Sequence, residues 1–322
     1  MQAWLIPAPG AEPQMATLPD PLPAQGEVLV RVAAAGLNFA DLLSIEGRYQ
    51  VRQAGPFIPG MEFAGWVEAT GPQTPGFRPG SRVLGTCQAG ALAERLVIPA
   101  AGLAMVPQDM PMDEAAAFPI AFGTSHLALT WKAALQPGET LFVTGAAGGV
   151  GLTAVEIGKH LGARVIASAR GAARLAVAQA AGADVLVDSD APDLKDRLRA
   201  EGGLDVVFDA VGGPAFDAAL RACRPDGRLL AIGFASGEVP QVPANLLLVK
   251  NLAVIGFWYG GYQTHAPDRV AASLAQLLDW RAAGTLRPHV GTVLPFDALP
   301  EGLELLRSRK ATGKVVIRVQ DP

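Results

Sequence analysis

The segment that most constrains this chain is TLFVTGAAGGVGLTAVEIGKHLGARVIASAR, residues 140–170. An apolar run ends in Ala146-Ala147-Gly148-Gly149-Val150-Gly151, a helical pattern follows, and a second apolar run comes after it. The turn has the AxGxxG form of a dinucleotide-binding loop. Small residues let the backbone turn tightly and approach a pyrophosphate, while the helix N-terminus offers free N–H groups and its positive dipole end. Glycine-rich strand-to-helix turns also serve packing alone, so the flanking strand, helix and second strand carry the reading.

The same rhythm continues downstream. Apolar runs at 140–145, 164–168, 184–187, 204–209, 227–233 and 252–257 alternate with helical patterns near 149–161, 171–181, 191–201 and 214–222. That alternation implies βαβ units and a parallel sheet, and six runs suit a doubly wound Rossmann domain of the α/β class. Up to about residue 122 the texture is β-rich instead. Short apolar, β-branched runs at 27–38 and 63–71 close on glycine or asparagine, and turn residues flank the strand within PGFRPGSRVLG. After 262 come a helical pattern (267–284), a strand-like piece (290–294), a helix (298–309) and a closing strand, GKVVIRV. This tail is too short for a third domain and is expected to return to the first. The expected organisation is a discontinuous β-rich domain, 1–122 with 262–322, and a Rossmann domain, 123–261.

The end of the second Rossmann strand selects the cofactor. NAD-binding enzymes usually place Asp or Glu there to take the ribose hydroxyls. Here RVIASARGAAR offers Ser168, Arg170 and Arg174, with no acid before Asp184. A carboxylate would repel a 2′-phosphate, whereas guanidinium groups bind one with bidentate hydrogen bonds. The expected cofactor is NADPH. Arg174 also reads as an ordinary solvated helix residue, which would leave Arg170 alone in the role.

Composition removes several other classes. Half the residues are hydrophobic and 17% are charged, enough for a large core and against general disorder. A net charge of −4 gives no basic excess for nucleic acid or an anionic membrane. The uncharged stretch 115–131 contains Pro119, Gly123 and His126 and falls just under the length of a spanning helix, so a buried hinge fits it better than a membrane span. MQAWLIPAPG lacks the basic region of a signal peptide. Cys87 and Cys223 are far apart; one bridge between them is formally possible, but two reduced thiols in a cytoplasmic protein are expected.

No metal site is expected. His126, His160, His265 and His289 are scattered without HxxxH or CxxH spacing, and four clustered cysteines are absent. His160, on the helix after the phosphate loop, is expected at the surface. There is no GxSxG elbow, and the loop lacks the GK[ST] ending of a P-loop.

GLNFADLLSIEGRY (36–49), PFIPGMEFAGWVEATG (56–71), TGAAGGVG (144–151), DAVGG (209–213) and GKVVI (313–317) run in this order along nearly the whole chain. Together they resemble the zinc-free NADPH:quinone oxidoreductases, the zeta-crystallin-like branch of the medium-chain dehydrogenase/reductase superfamily. The resemblance implies a GroES-like catalytic domain beside the Rossmann domain. Zinc alcohol dehydrogenases of that superfamily place a cysteine ligand near Asn38 and a His-Glu pair at Met61-Glu62. Without a Lewis acid, the implied substrates are quinones and α,β-unsaturated carbonyls, whose conjugation delocalises the developing charge.

Residue by residue, the resemblance sets Asn38 beside the nicotinamide, where its amide orients the ring or the substrate oxygen; a turn-forming asparagine at a strand end is the plainer alternative. It sets Thr124 near the cofactor and Gly148, Gly149 and Val150 against the pyrophosphate. Ser168, Arg170 and Arg174 surround the 2′-phosphate, though Ser189 stands where several relatives supply a tyrosine. Gly233, Phe234 and Phe257, in IGFASG and IGFWYG, fall where relatives contact the nicotinamide half, and Lys314 is added from the closing strand. Tyr49 matches a tyrosine proposed to protonate the product in 2-enoyl thioester reductases. A phenol of pKa about 10 can protonate an enolate; a pocket-lining aromatic is the alternative. Trp258 and Tyr259 line an acceptor pocket or a subunit contact, and NLAVIGFW supplies the edge strand through which such proteins form homodimers.

The leading expectation is therefore a zinc-independent NADPH-dependent quinone reductase. An enone or 2-enoyl thioester reductase with Tyr49 as proton donor is the enzymatic alternative. A protein that binds NADPH without turnover is the non-enzymatic one.

Overall fold

The computed structural model describes residues 1–321. The chain divides into two units, Met1–Ile120 with the returning segment from Pro288, and Ala121–Arg287. In the first, β1 (Gln2–Leu5) and β2 (Gln14–Thr17) form an antiparallel ribbon. The long β3 (Glu27–Leu37) runs straight into α1 (Phe39–Ile45), followed by β4 (Glu62–Thr70), β5 (Arg82–Thr86), β6 (Arg95–Pro99), β7 (Leu103–Met105) and α2 (Met112–Ala116). From Val28 to Leu37 every residue but Arg31 is uncharged and buried, as expected of a strand covered on both faces.

The second unit begins within α3 (Pro119–Leu127) and continues as β8 (Thr140–Thr144), α4 (Gly149–His160), β9 (Arg164–Ala169), α5 (Ala172–Ala180), β10 (Val185–Asp188), α6 (Leu194–Ala200), β11 (Leu204–Asp209), α7 (Gly213–Ala222), β12 (Cys223–Ala231), α8 (Ala244–Lys250), β13 (Ala253–Gly256), α9 (Tyr259–His265) and α10 (Pro267–Ala282). Its six strands lie in the order β10-β9-β8-β11-β12-β13, all parallel. This is the doubly wound Rossmann sheet, and the order reverses between β8 and β11, where such sheets open a crevice at their carboxyl ends. Phe142, Val207 and Leu229 on adjacent strands are fully buried against Phe216 and Leu220 of α7.

The chain then returns through β14 (Val290–Pro295), α11 (Leu299–Arg307) and β15 (Lys314–Arg318) to complete a seven-stranded sheet with the path β14-β15-β3-β4-β5-β7, β6 pairing the first half of β3. The return pairs β15 antiparallel to β3, with Val315 opposite Leu37 and Val316 opposite Gly36.

The return starts later than residue 262. The segment 262–287 belongs to the Rossmann unit because α10 is pinned there. His126 Nδ1 and Ser273 Oγ are 2.7 Å apart, and the rings of His126 and His160 meet Trp280 edge-on at 5.0 and 4.2 Å. Arg287 also donates its backbone N–H to Glu156. An amphipathic pattern shows that a helix has a core face but not which core receives it. The stretch 115–131 is broken between α2 and α3, and among the described residues no helix is long and apolar enough to cross a membrane.

Candidate functional site

In the β-rich unit, strand pairing gathers four polar side chains from distant parts of the sequence. Asn38, which leaves β3 and caps α1, stands level with Lys314 through the β15–β3 register, and Glu62 lies opposite Gly36 on β4. Gly36 is needed there: a Cβ would overlap Ala116 O and stand 2.8 Å from Glu62 Oε1. The Lys314 ammonium donates to Leu37 O (2.8 Å), Asn38 Oδ1 (2.7 Å) and Glu62 Oε1 (2.6 Å). Asn38 Nδ2 donates to Glu62 Oε1 at 2.9 Å and faces Gly36 O at 3.4 Å, while Glu62 Oε2 accepts the Ile120 N–H at 2.9 Å.

Asp41 completes the group from the first turn of α1, accepting the Asn38 backbone N–H on Oδ2 at 2.8 Å. Its other oxygen is buried without a hydrogen-bond partner. Burial pushes the Asp41 carboxyl up to about 7, against the pull of the Asn38 N–H and the Lys314 charge, with Glu62 adding to the rise. Burial likewise pushes the Cys87 thiol up to about 12, with the Asp41 charge reinforcing it. Both cysteines are free, which excludes the bridge.

Lys314, expected as a cofactor contact, is engaged by protein groups of its own unit. An ammonium has three donors, and all three are taken within its own unit. Tyr49 sits in the turn that ends α1, half-buried, its backbone N–H held by Leu43 O at 3.1 Å. Met61, in the place of a ligand histidine, is 5% exposed.

The Rossmann unit holds the cradle. Gly145 leaves β8 with φ +60°, and at Gly151 a Cβ would overlap Gly145 O, so the loop closes this tightly only with glycine. Gly148 caps α4, and Gly149 and Val150 open its first turn, so their N–H groups are the unpaired ones of a helix start. Ser168 is buried at the end of β9 with no hydrogen-bond partner for its Oγ. Arg170 is exposed beside it, paired with Asp190 at 3.1 Å, and Arg174 donates to Arg170 O at 3.3 Å. A tight glycine cradle, an orphaned hydroxyl and two guanidiniums at one strand end fit a phosphorylated dinucleotide.

Sequence reading missed what holds this end of the sheet. Asp209, the first residue of DAVGG, accepts the Thr144 hydroxyl (2.5 Å) and the N–H groups of Val211 (3.3 Å) and Gly212 (2.9 Å), tying β8 to β11 at the crevice. Burial holds its carboxyl above the usual carboxylate range. Gly233 and the exposed Phe234 follow β12; Phe257, after β13, is buried and stacks on Tyr262 at 5.3 Å. Thr124 is buried in α3 beside Gly123, whose bare backbone meets the Tyr259 ring. Tyr259 is thus a packing residue of its own unit, whereas Trp258 is 39% exposed.

Residues 149–279 match the zinc-binding dehydrogenase family, and residues 24–108 match the alcohol dehydrogenase GroES-like domain. The quinone oxidoreductase-like protein 2 homolog of Nematostella vectensis is 38% identical over 91% of this chain and 82% of its own length. Acryloyl-coenzyme A reductase of Sulfurisphaera tokodaii is 26% identical over 99% of this chain and 100% of its own. The quinone oxidoreductase of Thermus thermophilus, solved alone and with NADPH, superposes with a TM-score of 0.89 at 38% identity, covering 99% of this chain and 100% of that one. With both domains matched and that identity sustained over its length, the chain belongs to the quinone oxidoreductase family of the medium-chain dehydrogenase/reductase superfamily.

Proposed function

We propose that this protein is a zinc-independent NADPH-dependent oxidoreductase that reduces quinones or similar conjugated electrophiles. Family membership and the cradle together support the NADPH-dependent chemistry. Bound NADPH supplies the hydride. Gly148, Gly149 and Val150 would hold its pyrophosphate, and Ser168, Arg170 and Arg174 its 2′-phosphate, with Thr124, Gly233, Phe234 and Phe257 offered to the nicotinamide half.

The observation that carries the metal-free reading is the donor set around Asn38. A thioether stands in the place of a ligand histidine, an amide in the place of a ligand cysteine, and the carboxylate of Glu62 is already neutralised by the Lys314 ammonium at 2.6 Å. Such a set does not suit zinc, which takes thiolate, imidazole and free carboxylate. A quinone needs no Lewis acid, because its conjugated ring spreads the incoming negative charge over both oxygens. Purified protein mixed with NADPH and a series of quinones tests the proposal. Oxidation of NADPH coupled to hydroquinone formation is expected; failure with every quinone would overturn it.

A second reading has its own support. Tyr49 follows α1, the helix that Asn38 caps, and the Sulfurisphaera relative is an acryloyl-coenzyme A reductase. If enoyl thioesters are the acceptors, the Tyr49 hydroxyl protonates the enolate, and Tyr49→Phe should lower enoyl turnover about 100-fold while leaving quinone turnover within about twofold. Equal loss with both acceptors would return Tyr49 to a lining role.

We also propose a homodimer through β13. This strand is one of the two edges of the parallel sheet, and Leu248 and Val249 just before it are 79% and 72% exposed. An apolar edge of this kind needs covering. Light scattering that finds a monomer at micromolar concentration would remove the dimer. The two free cysteines fit the cytoplasm as its compartment.

A further inference from the structure

The Asn38 side chain stands between groups of opposite charge. Its Oδ1 receives the Lys314 ammonium at 2.7 Å, and its Nδ2 donates to the Glu62 carboxylate at 2.9 Å. Lys314 and Glu62 also bond each other at 2.6 Å, which closes a three-membered ring of contacts, and their side chains are 6% and 0% exposed. An amide oxygen and nitrogen are nearly alike in shape, so their neighbours decide which way the group faces. A flipped Asn38 would set N–H against an ammonium and C=O against a carboxylate, in a buried site where neither mismatch is screened.

We propose that Lys314 and Glu62 are positioning residues that lock the Asn38 amide in one orientation, so that Asn38 meets a ligand as an acceptor only. Both Nδ2 hydrogens are directed inward, one to Glu62 and one toward Gly36 O at 3.4 Å. Lys314 takes one side of Oδ1. One Oδ1 lone pair remains, and it suits a hydroxyl or amide N–H of a bound molecule rather than a carbonyl oxygen. Of the two parts open to Asn38, orienting a donor-bearing ring or binding the substrate oxygen, the clamp selects the first. The lysine at the start of the closing strand thereby acts through Asn38 rather than as a direct cofactor contact.

The spectroscopic part of the test stands independently of the proposed activity; its kinetic part rests on that reading. The chain contains three asparagines, Asn38, Asn245 and Asn251, and the last two are exposed. Selective 15N-asparagine labelling therefore gives three side-chain amide pairs, with Asn38 assigned by its loss in Asn38→Ser. In the wild type the Asn38 pair should exchange with solvent at least about tenfold more slowly than the other two. Lys314→Met and Glu62→Gln should each shift that pair and speed its exchange about tenfold. The double variant Lys314→Met/Glu62→Gln, which removes both members of the buried ion pair together, secures the measurement if a single variant does not fold.

In the same proteins kcat should fall about tenfold or more while the Kd for NADPH stays within about threefold. An Asn38 pair indistinguishable from wild type in the variants would overturn the clamp. So would a Kd for NADPH raised tenfold by Lys314→Met with the Asn38 pair unmoved, because Lys314 would then be a direct cofactor ligand. Wild-type protein inert toward every acceptor would count against the proposed function alone, since the exchange data still decide the clamp.

Discussion

The two candidate regions are built on opposite plans. The phosphate cradle of the Rossmann unit is assembled from one contiguous stretch, Gly145 to Arg174, and relies on backbone N–H groups, bare glycine surfaces and exposed guanidiniums. The Asn38 cluster is assembled from β3, α1, β4 and β15, and the Lys314–Asn38 bond alone spans 276 positions. It relies on side chains and buries two carboxyl groups and an ammonium. A local, backbone-based site tolerates most single changes but loses its ligand; a dispersed, buried, charged site risks the fold itself.

The difference predicts where the largest effect falls. Glu62→Ala removes the carboxylate that neutralises Lys314 and leaves the ammonium buried with its charge uncompensated. Breaking one side of a buried ion pair costs about 3–5 kcal/mol. Urea unfolding should register a loss of that order. A loss below about 1 kcal/mol would mean that solvent reaches Lys314 and that the cluster resembles the exposed cradle more than its burial indicates.

Asp41 gives the next effect, and its sign is fixed. Its folded pKa, about 7, lies above the ordinary 3.8 because burial disfavours the charged form. The folded protein therefore keeps a proton that the unfolded chain gives up. The stability this contributes is full below pH 3.8 and is lost as pH rises through about 7. Between pH 5 and 8 the loss is of order 2–3 kcal/mol. Asp41→Asn abolishes the titration, so its unfolding free energy should change less over that range, by about that amount. Parallel curves for variant and wild type would show that Asp41 is already ionised in the fold.

Legibility in the sequence follows the same division. The cradle can be read because its strand, loop, helix and second strand are neighbours, and the alternation of six apolar runs implies the parallel sheet with strand limits close to those observed. The contacts of Lys314 cannot be read from sequence because a strand-initial lysine carries no label for its partner; only the β15–β3 register places it level with Asn38. Glu62 stands out as half of an altered ligand pair, yet its bonds to Lys314 and Asn38 depend on the pairing of Gly36 with Glu62 across β3 and β4. A local signal for Asp41 does exist: Asn-x-x-Asp before an apolar run is the pattern of a reciprocal helix cap. The placement of α10 has no such signal, because it depends on His126 and His160 being presented to Trp280 by other helices.

On the cradle, Arg170→Asp should leave the fold within about 0.5 kcal/mol of wild type, as for most surface changes. It should still weaken NADPH binding about 10- to 100-fold by removing a charge-assisted contact and adding repulsion. NADH binding should change by less than about threefold, since it has no 2′-phosphate to meet that residue. Equal losses for both cofactors, measured by fluorescence titration, would detach Arg170 from the 2′-phosphate.

The smallest effect sharpens the comparison most, because it sets an exposed ion pair beside a buried one. Arg170 and Asp190 are 3.1 Å apart, with 62% and 61% of their side chains exposed, whereas Lys314 and Glu62 are almost wholly enclosed. An exposed pair is worth about 0–1 kcal/mol, so Asp190 competes only weakly with a 2′-phosphate for the guanidinium. Asp190→Asn should therefore tighten NADPH no more than about fivefold, leave NADH unchanged and leave unfolding within about 0.5 kcal/mol. The gain should shrink further in high salt, since screening acts on exposed charges. Weaker NADPH binding in this variant would mean that Asp190 orients Arg170 for the phosphate instead of competing with it, and the cradle would then share the positioning logic of the Asn38 cluster.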